Sequence, residues 1–94
     1  MNSHQHAEQL DLLAKQLQAA GDPVRIRIVC ILLQDKQYCV GDLAEMMQMS
    51  MSAISHHLQI LKEAGLLTAR HDGQMICYSI AKQPFTDQLK KMLC

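Results

Sequence analysis

Residues 39–66 read CVGDLAEMMQMSMSAISHHLQILKEAGL, and this stretch decides how the chain folds. Apolar residues recur with helical spacing in its first half, which predicts a helix of about two turns. They recur again in its second half, where Ser50 precedes the series as a helix N-cap and Gly65 follows it as a stop. Two helices joined by a tight turn form a helix-turn-helix, whose second helix can lie in the major groove of DNA.

Three further helices and a hairpin are predicted around this pair. Apolar spacing predicts a helix over residues 4–20 and another from Pro23 to about residue 34, with Asp22 as its N-cap. Residues 66–70 and 74–80 are strand candidates, joined through an Asp-Gly pair that is a strong hairpin signal. Pro84 opens a last amphipathic helix. The order α-α-α-α-β-β-α predicts a mainly α chain with a small β-hairpin, a winged helix-turn-helix.

Length and composition restrict the class of protein. The 94 residues contain no repeat, linker or low-complexity segment, so we expect residues 1–94 to form one domain. Nine basic residues balance nine acidic ones, so any positive patch must be local. The start lacks the features of a signal peptide, and no apolar run approaches the roughly 18 residues of a membrane span, which predicts a cytoplasmic chain with no membrane partner. Motifs for phosphate binding or nucleophilic catalysis are missing, so we expect no enzyme activity.

One face of the second motif helix is polar, and no acidic residue lies between positions 49 and 62. Its side chains can hydrogen-bond to phosphates and base edges without repelling them. The predicted DNA-binding residues of this face are Ser52, Ser55, His56 and Gln59. Arg70 and His71, near the hairpin tip, are placed to contact backbone phosphates or a minor groove. The alternative is a solvated surface, as in a winged-helix module that binds proteins without binding DNA.

Three segments carry a specific resemblance to a known family: GDPVRIRI at 21–28, CVGDLA at 39–44 and MSAISHHLQILKEAGLL at 51–67. With them, almost the whole chain resembles the ArsR/SmtB family of winged helix-turn-helix repressors. The resemblance implies a homodimer formed by the first and last helices. It also implies recognition helices that read an imperfect palindromic operator in double-stranded DNA, and repression that an inducer relieves.

The cysteines differ between branches of this family. Metal-sensing members have Cys-Val-Cys where this chain has Cys39-Val-Gly41, and the last helix contains no His for a zinc or nickel site. The branch that senses sulfide and persulfide is similar in having one cysteine in the second helix and one near the chain end. Cys30 and Cys94 match these positions. The resemblance to this branch implies a redox-sensing pair that reactive sulfur species bridge by a disulfide or polysulfide, and no cofactor.

Other interpretations of the cysteines stay open. Without an export signal, reduced thiols are the expected state. Arsenite or a soft divalent metal, such as cadmium or lead, would be an alternative inducer. Its ligands would come from Cys30, Cys39, Cys77 and Cys94. Cys39 and Cys77 could also be small apolar core residues, although strand alternation predicts that Cys77 is partly exposed. His4 and His6 are expected to be solvated, with metal binding as the alternative.

Overall fold

The computed structural model describes residues 3–34 and 36–94. The elements in this part of the chain are α1 (Ser3–Ala20), α2 (Pro23–Leu32), β1 (Tyr38–Cys39), α3 (Val40–Met47), α4 (Met51–Glu63), β2 (Leu67–Asp72), β3 (Met75–Ile80) and α5 (Pro84–Leu93). The predicted helices and hairpin are therefore confirmed, and the predicted winged helix-turn-helix order with them. None of the helices described is both long and apolar enough to cross a membrane.

Local capping interactions set the helix boundaries that the sequence predicted. The Asp22 carboxylate accepts hydrogen bonds from two backbone N–H groups of the first turn of α2, each at 3.0 Å. Ser50 Oγ accepts one at 3.1 Å from the backbone of Ala53 and so starts α4. Gly65 follows α4 with a φ of 83°, which glycine adopts without steric cost. These interactions define where α2 and α4 begin and where α4 ends.

A third strand joins the hairpin, which the sequence did not predict. The sheet is antiparallel with the order β1-β3-β2, and Cys39 of β1 lies opposite Cys77 of β3. Because β1 leads directly into α3, this pairing attaches the hairpin to the start of the helix-turn-helix. We call the hairpin of β2 and β3, with its turn, the wing.

The core consists of aliphatic side chains and holds the helix-turn-helix in place. The predicted inner face of α4 is confirmed, because its three apolar residues are completely buried against α2, α3 and the start of β2. Fully burying one such side chain contributes roughly 1.5–3 kcal/mol. The large side chains without exposed surface are Ile28, Leu32, Leu43, Ile54, Leu58, Leu61 and Leu66.

Helix α1 joins this core only near its C-terminal end. Its buried residues are Gln16 and the final two alanines. The apolar stripe of α1 does not pack within the chain: Leu10, Leu13 and Leu17 are 51%, 40% and 54% exposed. Met92 on α5 is 77% exposed. The first and last helices therefore present apolar surface that their own chain leaves uncovered.

Candidate nucleic-acid interface and cysteine pair

The polar side of α4 faces away from the core. Positions 52, 55, 56 and 59 follow one side of the helix, because residues three or four apart are neighbours on a helix surface. Their side chains are all exposed, whereas Ile54 and Leu58 point into the core. The exposed residues are Ser52, Ser55, His56 and Gln59. This helix can therefore approach a partner closely along a face that carries no acidic side chain.

Glu63 limits the acid-free face at its C-terminal end. Gln59 Nε2 donates a hydrogen bond of 3.2 Å to Glu63 Oε1, one turn further along α4. Both side chains are exposed, so water can replace this bond at little cost. Gln59 can leave Glu63 when another acceptor is offered.

The wing carries the two predicted basic residues, and its turn is shorter and lies later in the chain than predicted. The sequence predicted a turn at residues 71–73, but β2 extends to Asp72 and the two-residue turn consists of Gly73 and Gln74. Gly73 has a φ of 65°, and a glycine at this position favours the later turn. Arg70 and His71 are exposed strand residues just before the tip, and Arg70 lies opposite Cys77.

A polar network that the sequence analysis missed connects α4 to the junction of α1 and α2. Arg25 Nη1 lies 3.3 Å from Nδ1 of the half-buried His57, and Arg25 Nε donates a 2.7 Å hydrogen bond to the Ala19 carbonyl. Asp22 Oδ2 lies 4.0 Å from the same His57 nitrogen. The hydrogen bond from the Arg25 backbone lowers the pKa of Asp22, and the Arg25 charge lowers it further. The network fixes α4 relative to the N-terminus of α2.

Cys39 and Cys77 are joined by a disulfide between β1 and β3. Two expectations were therefore wrong. The thiols are not all reduced, and Cys77 is only 1% exposed instead of partly exposed. Alternation failed because β3 is the central strand and packs against α2 and α3, so neighbouring residues of β3 are buried together. Cys39 remains half-buried.

Cys30 and Cys94 are free thiols. Cys30 is half-buried on α2, and Cys94 is exposed at the end of α5, where its backbone N–H donates to the Lys90 carbonyl at 2.9 Å. Lys90 and Leu33 line the same groove between α2 and α5. Cys30 lies one turn before Leu33, and Cys94 one turn after Lys90. Each thiol therefore lies about one helical turn from a residue that lines this groove.

Residues that could hold a metal ion are not clustered in the part of the chain that the structure describes, where no group of three or more His, Cys, Asp or Glu has a suitable arrangement. Only two of the four cysteines considered as arsenite ligands are free thiols, because Cys39 and Cys77 are bonded to each other. His4 and His6 are exposed on the first turn of α1, and His4 Nε2 lies 2.8 Å from Glu8 Oε1. Their solvation agrees with the expectation.

A helix-turn-helix whose second helix has an exposed polar face, followed by a wing, defines a winged helix-turn-helix protein. Residues 22–69, about half of the 94-residue chain, match the family model of bacterial regulatory proteins of the arsR family. The chain belongs to this family. The family resemblance seen in the sequence is therefore confirmed.

Individual relatives agree with this assignment. The transcriptional repressor SmtB of Mycobacterium tuberculosis is 38% identical over 79% of this chain and 54% of its own length, so the chain spans about half of that relative. The structure of HlyU from Vibrio cholerae matches with a TM-score of 0.83 at 27% identity, over 89% of this chain and 90% of HlyU. A homodimeric winged helix-turn-helix domain from Mycobacterium bovis reaches 0.87 at 28% identity, over 97% and 83%. The relatives are named as regulators, which places the chain in a family without enzyme activity.

Proposed function

We propose that this protein is a homodimeric transcriptional repressor that acts in the cytoplasm, where it binds a palindromic operator in double-stranded DNA and is regulated through its cysteines. One observation carries the proposal: the exposed face of α4, which has no acidic residue, lies beside the wing, because Ser55 lines one crevice together with Gln74 and Ile76. Hydroxyl, imidazole and amide groups on a helix of this kind can contact phosphates and base edges. The repressor activity of the SmtB relative supports the direction of regulation.

The uncovered apolar surface supports a homodimer. The exposed stripe of α1 and the exposed end of α5 lie on the two helices through which the family resemblance implies dimerisation. A groove between them is lined by Leu13, Gln16 and Phe85, which offers a mostly apolar surface to a second copy. Dimerisation sets the spacing of the two recognition helices, which must lie about 34 Å apart to read successive major grooves.

Operator binding can be tested with the whole chain. A binding sequence is first enriched from random duplex DNA, and its affinity is then measured by fluorescence anisotropy at several salt concentrations. Ser55→Ala and Gln59→Ala should each weaken specific binding about fivefold or more, since one good base contact contributes about 1–3 kcal/mol. Gln37→Ala, in the exposed segment before β1, is the matched control. Failure to enrich any sequence would favour a protein-interaction module instead.

The direction of regulation needs a cellular measurement. A reporter gene placed downstream of the enriched operator should be expressed less when the protein is present. The Gln59→Ala variant should restore expression without changing the amount of protein. Increased expression in the presence of the protein would identify an activator and contradict the proposal of a repressor.

We further propose that Cys30 and Cys94 sense reactive sulfur species. Both are free thiols, each lies about one helical turn from a residue that lines the groove between α2 and α5, and Cys94 is exposed to reagents. In the proposed reaction, two thiols and one persulfide give a disulfide, a thiol and hydrogen sulfide. The same proposal includes a longer polysulfide bridge between Cys30 and Cys94. Bridging α2 to the end of α5 would change the dimer geometry and release DNA.

Mass spectrometry distinguishes a reactive-sulfur inducer from the alternative, a metalloid inducer. The reduced protein is treated with glutathione persulfide or, separately, with arsenite, and DNA release is followed in parallel. A bridge between Cys30 and Cys94 with release is the expected result, and Cys30→Ser or Cys94→Ser should abolish release while operator binding persists. If arsenite instead bound to three thiols and released the DNA, the inducer would be a metalloid and the proposal of a sulfur inducer would be wrong.

A further inference from the structure

We propose that Cys39 and Cys77 form a second redox site, a dithiol–disulfide couple that controls how firmly the wing is held against the helix-turn-helix. The site is separate from Cys30 and Cys94, which are free thiols on α2 and at the end of α5. The redox chemistry of the pair stands independently, and only its effect on DNA affinity rests on the proposed function.

The disulfide links the wing directly to the helix-turn-helix. Cys39 is the residue immediately before α3, the first helix of the motif. Cys77 lies on the central strand, opposite Cys39 on one side and opposite Arg70 on the other. One covalent bond therefore connects the start of the helix-turn-helix with the direct strand partner of the basic residue proposed to contact DNA.

The noncovalent attachment at the same place is small. Strand β1 has only two residues, and its register with β3 consists of two pairs. A pairing of this length contributes few backbone hydrogen bonds, each with a modest net effect on stability. Without the bridge, β1 can separate from β3 while β2 and β3, paired over six residues each, stay together. Packing of β3 against α2 and α3 would still hold the base of the wing, while its outer part would gain freedom relative to α4.

Solvent can reach the pair from one side. Half-buried Cys39 lines a crevice of about 250 Å³ between the start of α3, the start of α4 and the wing. Gly41 also lines it, and apart from its chain neighbours and its own helix backbone no atom lies within 4 Å of where a side-chain Cβ would stand on Gly41. Cys77 is buried. A small thiol or disulfide can therefore reach the sulfur of Cys39 but not that of Cys77.

Because only Cys39 can be reached, this difference in access determines which sulfur is attacked first in thiol–disulfide exchange. In reduction, a small thiolate attacks Cys39 Sγ, the bond to Cys77 breaks, and Cys77 leaves as a thiolate that takes up a proton. A second thiolate then attacks the outer sulfur of the mixed disulfide and releases Cys39 as a thiolate, which is protonated. In total, the protein disulfide and two small thiols give two cysteine thiols and one small disulfide. Oxidation by a small disulfide is the reverse.

The experiment uses the full chain with Cys30→Ser and Cys94→Ser, so that only the second pair can react. The protein is equilibrated in buffers of reduced and oxidised glutathione, alkylated and mapped by mass spectrometry. We expect one two-electron transition with Cys39 linked to Cys77. Amide hydrogen exchange is measured at both ends of the transition, and reduction should speed exchange in β1 at least tenfold, because local opening then becomes easier.

Operator affinity is measured in the same two states. Reduction should weaken binding about threefold to tenfold, because the more mobile outer part of the wing must be ordered again on binding. A variant with Cys39→Ser and Cys77→Ser is the matched control and should bind like the reduced protein in every buffer. Absence of the Cys39–Cys77 link at all glutathione ratios would overturn the proposal, as would a link that leaves exchange in β1 unchanged. Absence of DNA binding in both states would overturn the proposed function, while the exchange measurement would still decide on the redox site.

Discussion

Reduction of the Cys39–Cys77 disulfide is expected to lower the free energy of unfolding substantially. The two cysteines are 38 residues apart in the chain. A bridge that closes a loop of this length removes entropy from the unfolded chain, and the loop-closure relation gives about 4 kcal/mol at 25 °C. The unfolding free energy of a whole domain is about 5–15 kcal/mol. The bridge would therefore supply a large part of the stability of this short chain.

The assay is urea denaturation followed by circular dichroism, with and without dithiothreitol at one fixed protomer concentration. Since the slope for a small domain is about 2 kcal/mol per molar urea, reduction should lower the midpoint by about 2 M. The Cys39→Ala, Cys77→Ala double variant should unfold at the same midpoint with and without reductant. A midpoint change below about 0.5 M for the wild type would refute the loop-closure argument, because that corresponds to only about 1 kcal/mol.

Three further predictions concern the dimer, the wing and the α2 cap. Leu13→Glu should convert the dimer to monomers by placing a charge on the apolar stripe of α1, and sedimentation equilibrium would detect a persistent dimer that contradicts this. Arg70→Ala should reduce the slope of log affinity against log salt by about 0.9 if Arg70 neutralises one phosphate, whereas Lys82→Ala should leave the slope unchanged. Asp22→Ala should lower the unfolding free energy at pH 7, because it removes the carboxylate that caps α2. Because folding lowers the pKa of Asp22 from 3.8, this contribution is present above that value and is lost as pH falls through the lower folded value. If the Asp22→Ala variant were destabilised by the same amount in strong acid as at pH 7, this pH dependence would be contradicted.

The helix ends and the polar face of α4 were predictable from the sequence, because they depend on residues close together in the chain. Asp22, Ser50 and Gly65 mark helix ends through interactions within a few residues, so their patterns are visible in a short window. The polar face of α4 was visible for the same reason, because helical spacing alone groups its residues. The exposure of these residues follows from the burial of the opposite apolar face.

The features that depend on distant partners were not predictable. Strand β1 has two residues and no pattern of its own, and it exists because it pairs with β3 about 40 residues later in the chain. The disulfide and the burial of Cys77 follow from that pairing. The contact between Arg25 and His57 joins residues 32 apart in sequence. The stripe of α1 was recognised as apolar, but periodicity cannot tell whether such a stripe packs within its own chain or against another.

The exposed leucines of α1 also affect how the protein responds to its own abundance. When a site is occupied only by a pair of chains and the chains are mostly separate, occupancy rises with the square of their concentration. A twofold change in synthesis would then change operator occupancy about fourfold at low levels of protein. Below the dissociation constant of the pair, each chain would carry Leu10 and Leu17 uncovered in solution, where proteases and chaperones act on exposed apolar helices. The same side chains would thereby set a threshold of expression below which the regulator is silent and short-lived.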